Sequence, residues 1–154
     1  MDSREKKINR YLRITEQLSG ILPETDDKLA RMATVAALLH HKMDGFFWTG
    51  FYFLRGNKLV VGPYQGPVAC QELKSGSGVC WTAVNRNETV VVDDVNKFPG
   101  HIACDARSKS EIVVPVRDGS GNIIAVLDVD SSHYDNFDDI DAEGLERITE
   151  MIFS

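Results

Sequence analysis

Apolar positions recur at two different periods along this chain, and the change of period separates predicted helices from predicted strands. Apolar residues spaced three or four apart indicate helices that pack on one face. Segments rich in aromatic and β-branched residues, bounded by turn residues, indicate strands. The predicted helices run from the first residues to Gly20 and Pro23, from about Thr25 to Gly45, over 79–85 and over 138–153. The predicted strands are 46–54, 58–64, 88–93, 111–117 and 123–130.

Turn signals join two pairs of these strands. Gly56-Asn57 and the segment 118–122 each separate two strand patterns, which predicts two hairpins. Hairpins flanked by terminal helices favour a single α+β domain, residues 1–154, with a central and largely antiparallel sheet. Segment 96–110 has little periodicity and is expected to be a long loop, and such loops are usually functional.

Charge and apolar run length narrow the class of protein. The net charge of −6 over 154 residues argues against a nucleic-acid partner, which needs a basic face. No apolar run approaches the roughly 20 residues that span a bilayer, and the polar N-terminal residues do not resemble a signal peptide. We therefore expect a cytoplasmic protein with neither nucleic acid nor membrane as a partner.

The chain has three cysteines, Cys70, Cys80 and Cys104, and all lie outside the strongly periodic segments. A lone cysteine is by default a packing residue. Three cysteines in a reducing compartment also suggest redox or metal chemistry. A Cys₃His zinc set with His101 is conceivable, but no C-x₂-C pair supports it. For thiol chemistry, His101 would favour a Cys104 thiolate and the adjacent Asp105 would oppose it.

Three carboxylates are expected at one end of the second hairpin. Asp128 and Asp130 are two apart on a strand and therefore share a face, and Glu111 begins the partner strand. Gathered acids repel one another, so at least one pKa rises and that group becomes a proton donor near neutrality. They could equally bind an ammonium group, or be solvated residues at the strand ends.

Two aromatic residues, Trp48 and Tyr52, are four apart on a predicted strand and also share a face. Core packing is the default interpretation of such a pair. A box for a small thioether or sulfoxide methyl group is the more specific alternative, because contacts between sulfur and aromatic rings are favourable.

The motifs, taken in order, resemble those of the free methionine-R-sulfoxide reductases, small enzymes built on a GAF domain. The resemblance extends from the second helix to the last. It rests on the segments Trp48-Thr49-Gly50-Phe51-Tyr52, Gly62-Pro63-Tyr64-Gln65-Gly66, Ala69-Cys70, Gly76-Ser77-Gly78-Val79-Cys80, His101-Ile102-Ala103-Cys104-Asp105, Ser110-Glu111-Ile112-Val113-Val114-Pro115 and Leu127-Asp128-Val129-Asp130-Ser131. It implies a GAF fold, with the terminal helices on one face of the sheet and a ligand pocket on the other.

The resemblance also implies roles for the three thiols. Cys104 is similar to the nucleophile that attacks the sulfoxide sulfur and becomes a sulfenic acid as methionine leaves. Cys70 is similar to the main resolving thiol, which forms a disulfide with Cys104, and Cys80 to an auxiliary one. Thioredoxin would reduce that disulfide. No metal or cofactor is implied, and a homodimer is a family expectation.

The resemblance further assigns the pocket groups. Glu111, Asp128 and Asp130 match carboxylates that hold the substrate ammonium and help to protonate the sulfoxide oxygen, and Trp48 and Tyr52 match aromatics that receive the methyl end. The main alternative is a GAF domain that senses a small ligand or a redox change without turnover.

Two positions depart from the family pattern. Trp81 stands where the family usually has glycine, which predicts a less mobile Cys80 segment and disfavours a Cys80–Cys104 disulfide. Arg107 replaces a usually small residue, and we expect it either to lower the pKa of Cys104 or to cover the pocket mouth.

Overall fold

The computed structural model describes residues 2–101 and 104–154. Its helices are α1 (Ser3–Ile21), α2 (Lys28–Lys42), α3 (Val79–Arg86) and α4 (Asp139–Ile152), with short 3₁₀ turns at Leu22–Glu24 and Val95–Lys97. Its strands are β1 (Trp48–Arg55), β2 (Lys58–Gln65), β3 (Glu72–Lys74), β4 (Val90–Val92), β5 (Ser110–Arg117) and β6 (Ile123–Ser131).

The six strands form one sheet in the order β3-β2-β1-β6-β5-β4, and every pairing is antiparallel. Both predicted hairpins are present, as β1-β2 and β5-β6. The pairing of β1 with β6 joins them at the centre of the sheet. The predicted α+β class with an antiparallel sheet is therefore confirmed.

The two faces of the sheet carry different layers. Helices α1, α2 and α4 pack on one face over fully buried residues such as Phe51 and Leu127. Their neighbours in sequence, including Tyr52, Val126 and Asp128, point to the other face because side chains alternate along a strand. That second face is covered by α3 and by loops. The predicted division into a helical face and a pocket face is confirmed.

Aspartate caps fix three of the helix starts, because a carboxylate satisfies the free backbone N–H groups of the first turn. Asp2 caps α1, Asp27 caps α2, and Asp138 caps α4 in a capping box with Asp141. The predicted start of α2 at Thr25 was three residues early. No helix in the described part of the chain is long and apolar enough to cross a membrane.

Strand β3 was not predicted. Its three residues are exposed or half-buried, and they are too few to show the alternation that indicates a strand. It forms because its backbone pairs with the edge of β2, where Leu73 lies opposite Leu59. Strand β3 also helps to hold α3, which covers the second face of the sheet. Trp81 on α3 donates a hydrogen bond from Nε1 to the Leu73 carbonyl at 2.9 Å.

Candidate active site

A pocket lies between the second face of the sheet, the start of α3 and the loop residues around 67–69, 101 and 104–108. All but one of the site residues predicted from the sequence line it, and the exception, Cys70, is bonded to the lining residue Cys104. Its described lining consists of Phe47, Trp48, Tyr52, Pro67, Val68, Ala69, Leu73, Ser77, Gly78, Val79, Cys80, His101, Cys104, Asp105, Ser108, Glu111, Asp128 and Asp130.

The three carboxylates meet at one place on the sheet, as the hairpin pattern predicts. Glu111 on β5 is paired directly with Asp130 on β6, and Asp128 lies two residues further along the same face. Glu111 and Asp128 are only 5% and 6% exposed. Because they stand on the paired central strands, their separation is fixed by backbone hydrogen bonds and does not depend on a loop.

The three acids do not share one ionisation behaviour. Burial, followed by the charges of Asp128 and Asp130, raises the pKa of Glu111 well above its ordinary value. Burial and the neighbouring Asp128 likewise raise the pKa of Asp130 well above its ordinary value. The pKa of Asp128 rises less far, because hydrogen bonds with Glu111 and Cys80 partly offset its burial. The cluster therefore loses its protons in steps, and carboxyl groups in it keep a proton where an isolated carboxyl would be ionised.

One oxygen of this cluster lacks a partner. Asp128 Oδ1 is buried and has no hydrogen-bond partner among the described residues. A buried carboxylate oxygen without a donor carries a desolvation penalty, and a cationic donor removes it. The pocket is therefore prepared for a positively charged hydrogen-bond donor at Asp128.

The thiols occupy two different environments. Cys70 and Cys104 form a disulfide, with their Cα atoms 5.5 Å apart, and Cys104 lies at the exposed rim of the pocket. Cys80 is a free thiol, 5% exposed, at the start of α3. Burial and the charges of Asp128 and Glu111 raise the pKa of Cys80 well above its ordinary value. Cys80 is therefore held as an unreactive thiol in this state.

Metal ligation has one geometric candidate in the described residues. Cys80 Sγ and a carboxylate oxygen from each of Glu111 and Asp128 lie within 4.8 Å of one another. The Cys₃His set that the sequence left open is not available here, because Cys70 and Cys104 are bonded to each other.

The two predicted aromatics form one wall of the pocket. Trp48 and Tyr52 stack with ring centroids 5.7 Å apart, and Tyr64 also stacks on Trp48, at 5.2 Å. Trp48 Nε1 donates to the Pro67 carbonyl at 3.0 Å, and the Tyr52 hydroxyl donates to the Cys70 carbonyl at 3.0 Å. The rings therefore face the pocket while their polar tips bind the segment that carries Cys70.

Arg107 lies beside the mouth of the pocket. Its guanidinium donates to both oxygens of Asp105, at 3.0 and 2.7 Å, and stacks 4.9 Å from the centroid of Phe47. The hydrogen bond from Arg107 lowers the pKa of Asp105 to about 2. Arg107 thus pairs the negative charge that adjoins Cys104 and packs on the pocket residue Phe47. Burial lowers the pKa of His101, which makes that ring a weak source of positive charge for the thiolate.

Sequence reasoning missed several lining residues. Phe47 precedes β1, and Pro67, Val68 and Ser108 lie in irregular segments, where no periodicity marks a functional face. Their position in the sequence could have indicated them, because each lies within four residues of a predicted site residue. Ile102 and Ala103, which belong to the motif around Cys104, lie outside the described residues.

The fold and the site define a GAF-domain protein with a cysteine pair at the pocket mouth. The chain matches the GAF domain family over residues 28–152. It is 40% identical to the free methionine-R-sulfoxide reductase of Escherichia coli, over 95% of this chain and 88% of that protein. Within the GAF domain family, the chain belongs to the free methionine-R-sulfoxide reductases.

Solved structures agree with this assignment. A structure of fRMsr of Staphylococcus aureus in its reduced form is 45% identical and superimposes with a TM-score of 0.88, covering 93% of this chain and 92% of that one. A structure of free methionine-R-sulfoxide reductase from Neisseria meningitidis in complex with its substrate is 40% identical, with a TM-score of 0.87, covering 92% and 85%.

Proposed function

We propose that this protein reduces free L-methionine-R-sulfoxide to L-methionine, with Cys104 as the nucleophile. The observation that carries the proposal is the convergence of a disulfide-forming cysteine and three acids, two of them buried, on one pocket. Membership of the reductase family supplies the substrate, since the relatives carry that activity in their names.

The residues divide the chemistry between them. Glu111 keeps a proton because its pKa is raised, and it donates that proton to the sulfoxide oxygen, which is otherwise a poor leaving group. The Cys104 thiolate attacks the sulfoxide sulfur, and oxygen passes to Cys104 to give a sulfenic acid and methionine. Cys70 attacks that sulfenic acid, releasing water and forming the Cys70–Cys104 disulfide. Trp48 and Tyr52 receive the methyl end of the substrate.

Asp128 binds the substrate ammonium in this proposal. Its Oδ1 is buried and lacks a donor among the residues described. The ammonium supplies that donor. Peptide-bound methionine sulfoxide has no free ammonium and leaves Asp128 unpaired, so the pocket selects the free amino acid.

The return to the dithiol form needs an external reductant, and we propose thioredoxin for that step. The exposure of Cys104 supports access by a second protein. We also propose that residues 1–154 act as one domain in the cytoplasm, and as a homodimer. Replacing thioredoxin by glutathione in the assay, and light scattering at several protein concentrations, test the reductant and the dimer separately.

A coupled assay tests the activity. NADPH oxidation is followed with thioredoxin and thioredoxin reductase on addition of free methionine-R-sulfoxide, with the S epimer as the matched control. We expect turnover with the R epimer only. Cys104→Ser is expected to abolish methionine formation, and Cys70→Ser to release about one methionine per chain and then stop.

Two outcomes would contradict the proposal. Full turnover by Cys104→Ser would remove the proposed nucleophile. Stoichiometric binding of the sulfoxide by the reduced wild-type protein without any methionine release would instead favour a ligand sensor.

A further inference from the structure

The polar tips of the two pocket aromatics bind the backbone of a single segment. Trp48 Nε1 donates to the carbonyl of Pro67, and the Tyr52 hydroxyl donates to the carbonyl of Cys70, both at 3.0 Å. Both donors stand on β1, which is paired on both sides at the centre of the sheet. A rigid strand therefore holds both ends of the segment 67–70.

This segment has little regular structure of its own. It lies between β2 and β3 and belongs to neither. Val68 at its tip is 81% exposed, and the side chain of Gln71, the next residue along the chain, donates to the Ala69 carbonyl. Just after the segment, the Gln71 carbonyl accepts a hydrogen bond from the Val61 N–H of β2 at 3.0 Å. Within 67–70 itself, the described hydrogen bonds to the sheet are the two side-chain bonds from β1.

The start of the segment is also fitted closely to β1. Gly66 has a φ of +121°, and a Cβ atom there would lie 2.8 Å from the Phe47 carbonyl oxygen. The chain therefore leaves β2 in close contact with the backbone just before β1. It then runs past the two hydrogen-bond donors, Trp48 and Tyr52. The result is a fixed path that brings Cys70 to the pocket mouth.

We propose that Tyr52 and Trp48 are positioning residues for the resolving thiol, and that their hydrogen bonds hold Cys70 where it meets the oxidised Cys104. The inference rests on the proposed function and adds a second task to residues assigned there to the substrate methyl group. The step concerned is the attack of the Cys70 thiolate on the Cys104 sulfenic acid, which forms the S–S bond and breaks the S–O bond; the departing hydroxide takes up one proton and leaves as water.

The Tyr52 hydroxyl is suited to a permanent tether. Burial, with the nearby charge of Asp128 next in importance, raises its pKa far above the ordinary value, so it remains a donor at all working pH values. Its ring is fixed by stacking on Trp48. Loss of one such neutral hydrogen bond is expected to slow disulfide closure about two- to tenfold.

Tyr52→Phe is the direct test, because it keeps the stacked ring and removes only the hydroxyl. Tyr64→Phe is the matched control: it removes a phenol hydroxyl from the other ring stacked on Trp48. Reduced protein is mixed rapidly with the sulfoxide and quenched over time. Methionine release and loss of free thiols are measured in the same samples, and a dimedone-type probe captures any sulfenic acid that persists.

We expect the ratio of closure rate to methionine-release rate to fall about two- to tenfold in Tyr52→Phe, with more captured sulfenic acid, and to keep its wild-type value in Tyr64→Phe. Trp48→Phe, which removes the other donor, is expected to lower the ratio as well. Wild-type ratios in both Tyr52→Phe and Trp48→Phe would overturn the inference. If Tyr52→Phe does not fold, Trp48→Phe decides alone.

A second way of forming the sulfenic acid separates this inference from the proposed function. One equivalent of hydrogen peroxide oxidises the Cys104 thiol to the sulfenic acid and leaves water, without the sulfoxide. If the sulfoxide yields no methionine, the proposed function fails, and closure after peroxide still tests the tethers. If methionine forms normally and closure is unaffected in both variants, only the tether inference fails.

Discussion

Replacing Asp128 with asparagine tests the origin of the selectivity for a free amino acid. The substitution keeps the size of the side chain and removes its charge. In the wild-type pocket the buried Oδ1 lacks a donor among the described residues, so the substrate ammonium would both satisfy it and form a charge-assisted hydrogen bond. A hydrogen bond to a charged group contributes about 1.5–3 kcal/mol. Since 1.4 kcal/mol is a factor of ten, Asp128→Asn is expected to lower kcat/KM for methionine-R-sulfoxide about 10- to 150-fold.

The assay compares two substrates with two proteins. One substrate is the free sulfoxide, and the other is its des-amino analogue, which lacks only the ammonium group. We expect the large loss with the free sulfoxide alone, because the analogue makes no bond to Asp128. Asp139→Asn, a change of an exposed carboxylate outside the pocket, serves as the control.

Melting temperatures of both variants show whether the fold is intact. An equal loss of kcat/KM for the two substrates, with the fold intact, would refute the assignment of Asp128 to the ammonium. It would point to a general effect on the pocket, such as a changed pKa of Glu111.

Three further changes follow from the same geometry. Because the pKa of Glu111 is raised on folding, its contribution to stability is fully present below its ordinary pKa and is lost as pH rises through the folded value. Glu111→Gln should therefore gain stability relative to wild type as the pH rises above the ordinary pKa of a glutamic acid, as measured by urea denaturation, and a difference that stays constant with pH would contradict this. Arg107→Ala unpairs the charge of Asp105, so alkylation of reduced Cys104 by iodoacetamide should slow about two- to fivefold, and Asp105→Asn in the same chain should restore it. Trp81→Ala should lower the free energy of unfolding by about 3–5 kcal/mol, because Trp81 is 6% exposed in the apolar cluster on the second face of the sheet, whereas Trp81→Phe should cost much less.

The sequence predicted the parts of the molecule that follow local periodicity. The β5–β6 hairpin is the clearest case, because its alternation and its turn together fix the register that brings Glu111 opposite Asp130. Helix α4 was predicted to within one residue at each end, because its cap and its apolar stripe lie in the sequence itself. The pairing of Cys70 with Cys104 came from resemblance alone, and the structure contains that bond.

Other features depend on contacts between distant segments and could not be predicted. The short strand β3 exists because the edge of β2 offers it partners, and its own residues carry no signal. The pairing of β1 with β6 decides that the aromatics and the acids share one face of one sheet. The two hydrogen bonds from Trp48 and Tyr52 depend on the path of an irregular segment, which is set only when the sheet is complete.

The bond between Cys70 and Cys104 also links two points 34 residues apart in the chain. A cross-link of that span removes loop freedom from the unfolded chain and is worth about 4 kcal/mol in the chain-entropy model. In the proposed cycle, each turnover converts the protein from a dithiol form to a disulfide cross-linked form and back. The molecule would then resist heat and proteases best when oxidant is plentiful and reductant is scarce, and would be most vulnerable when it is ready to react.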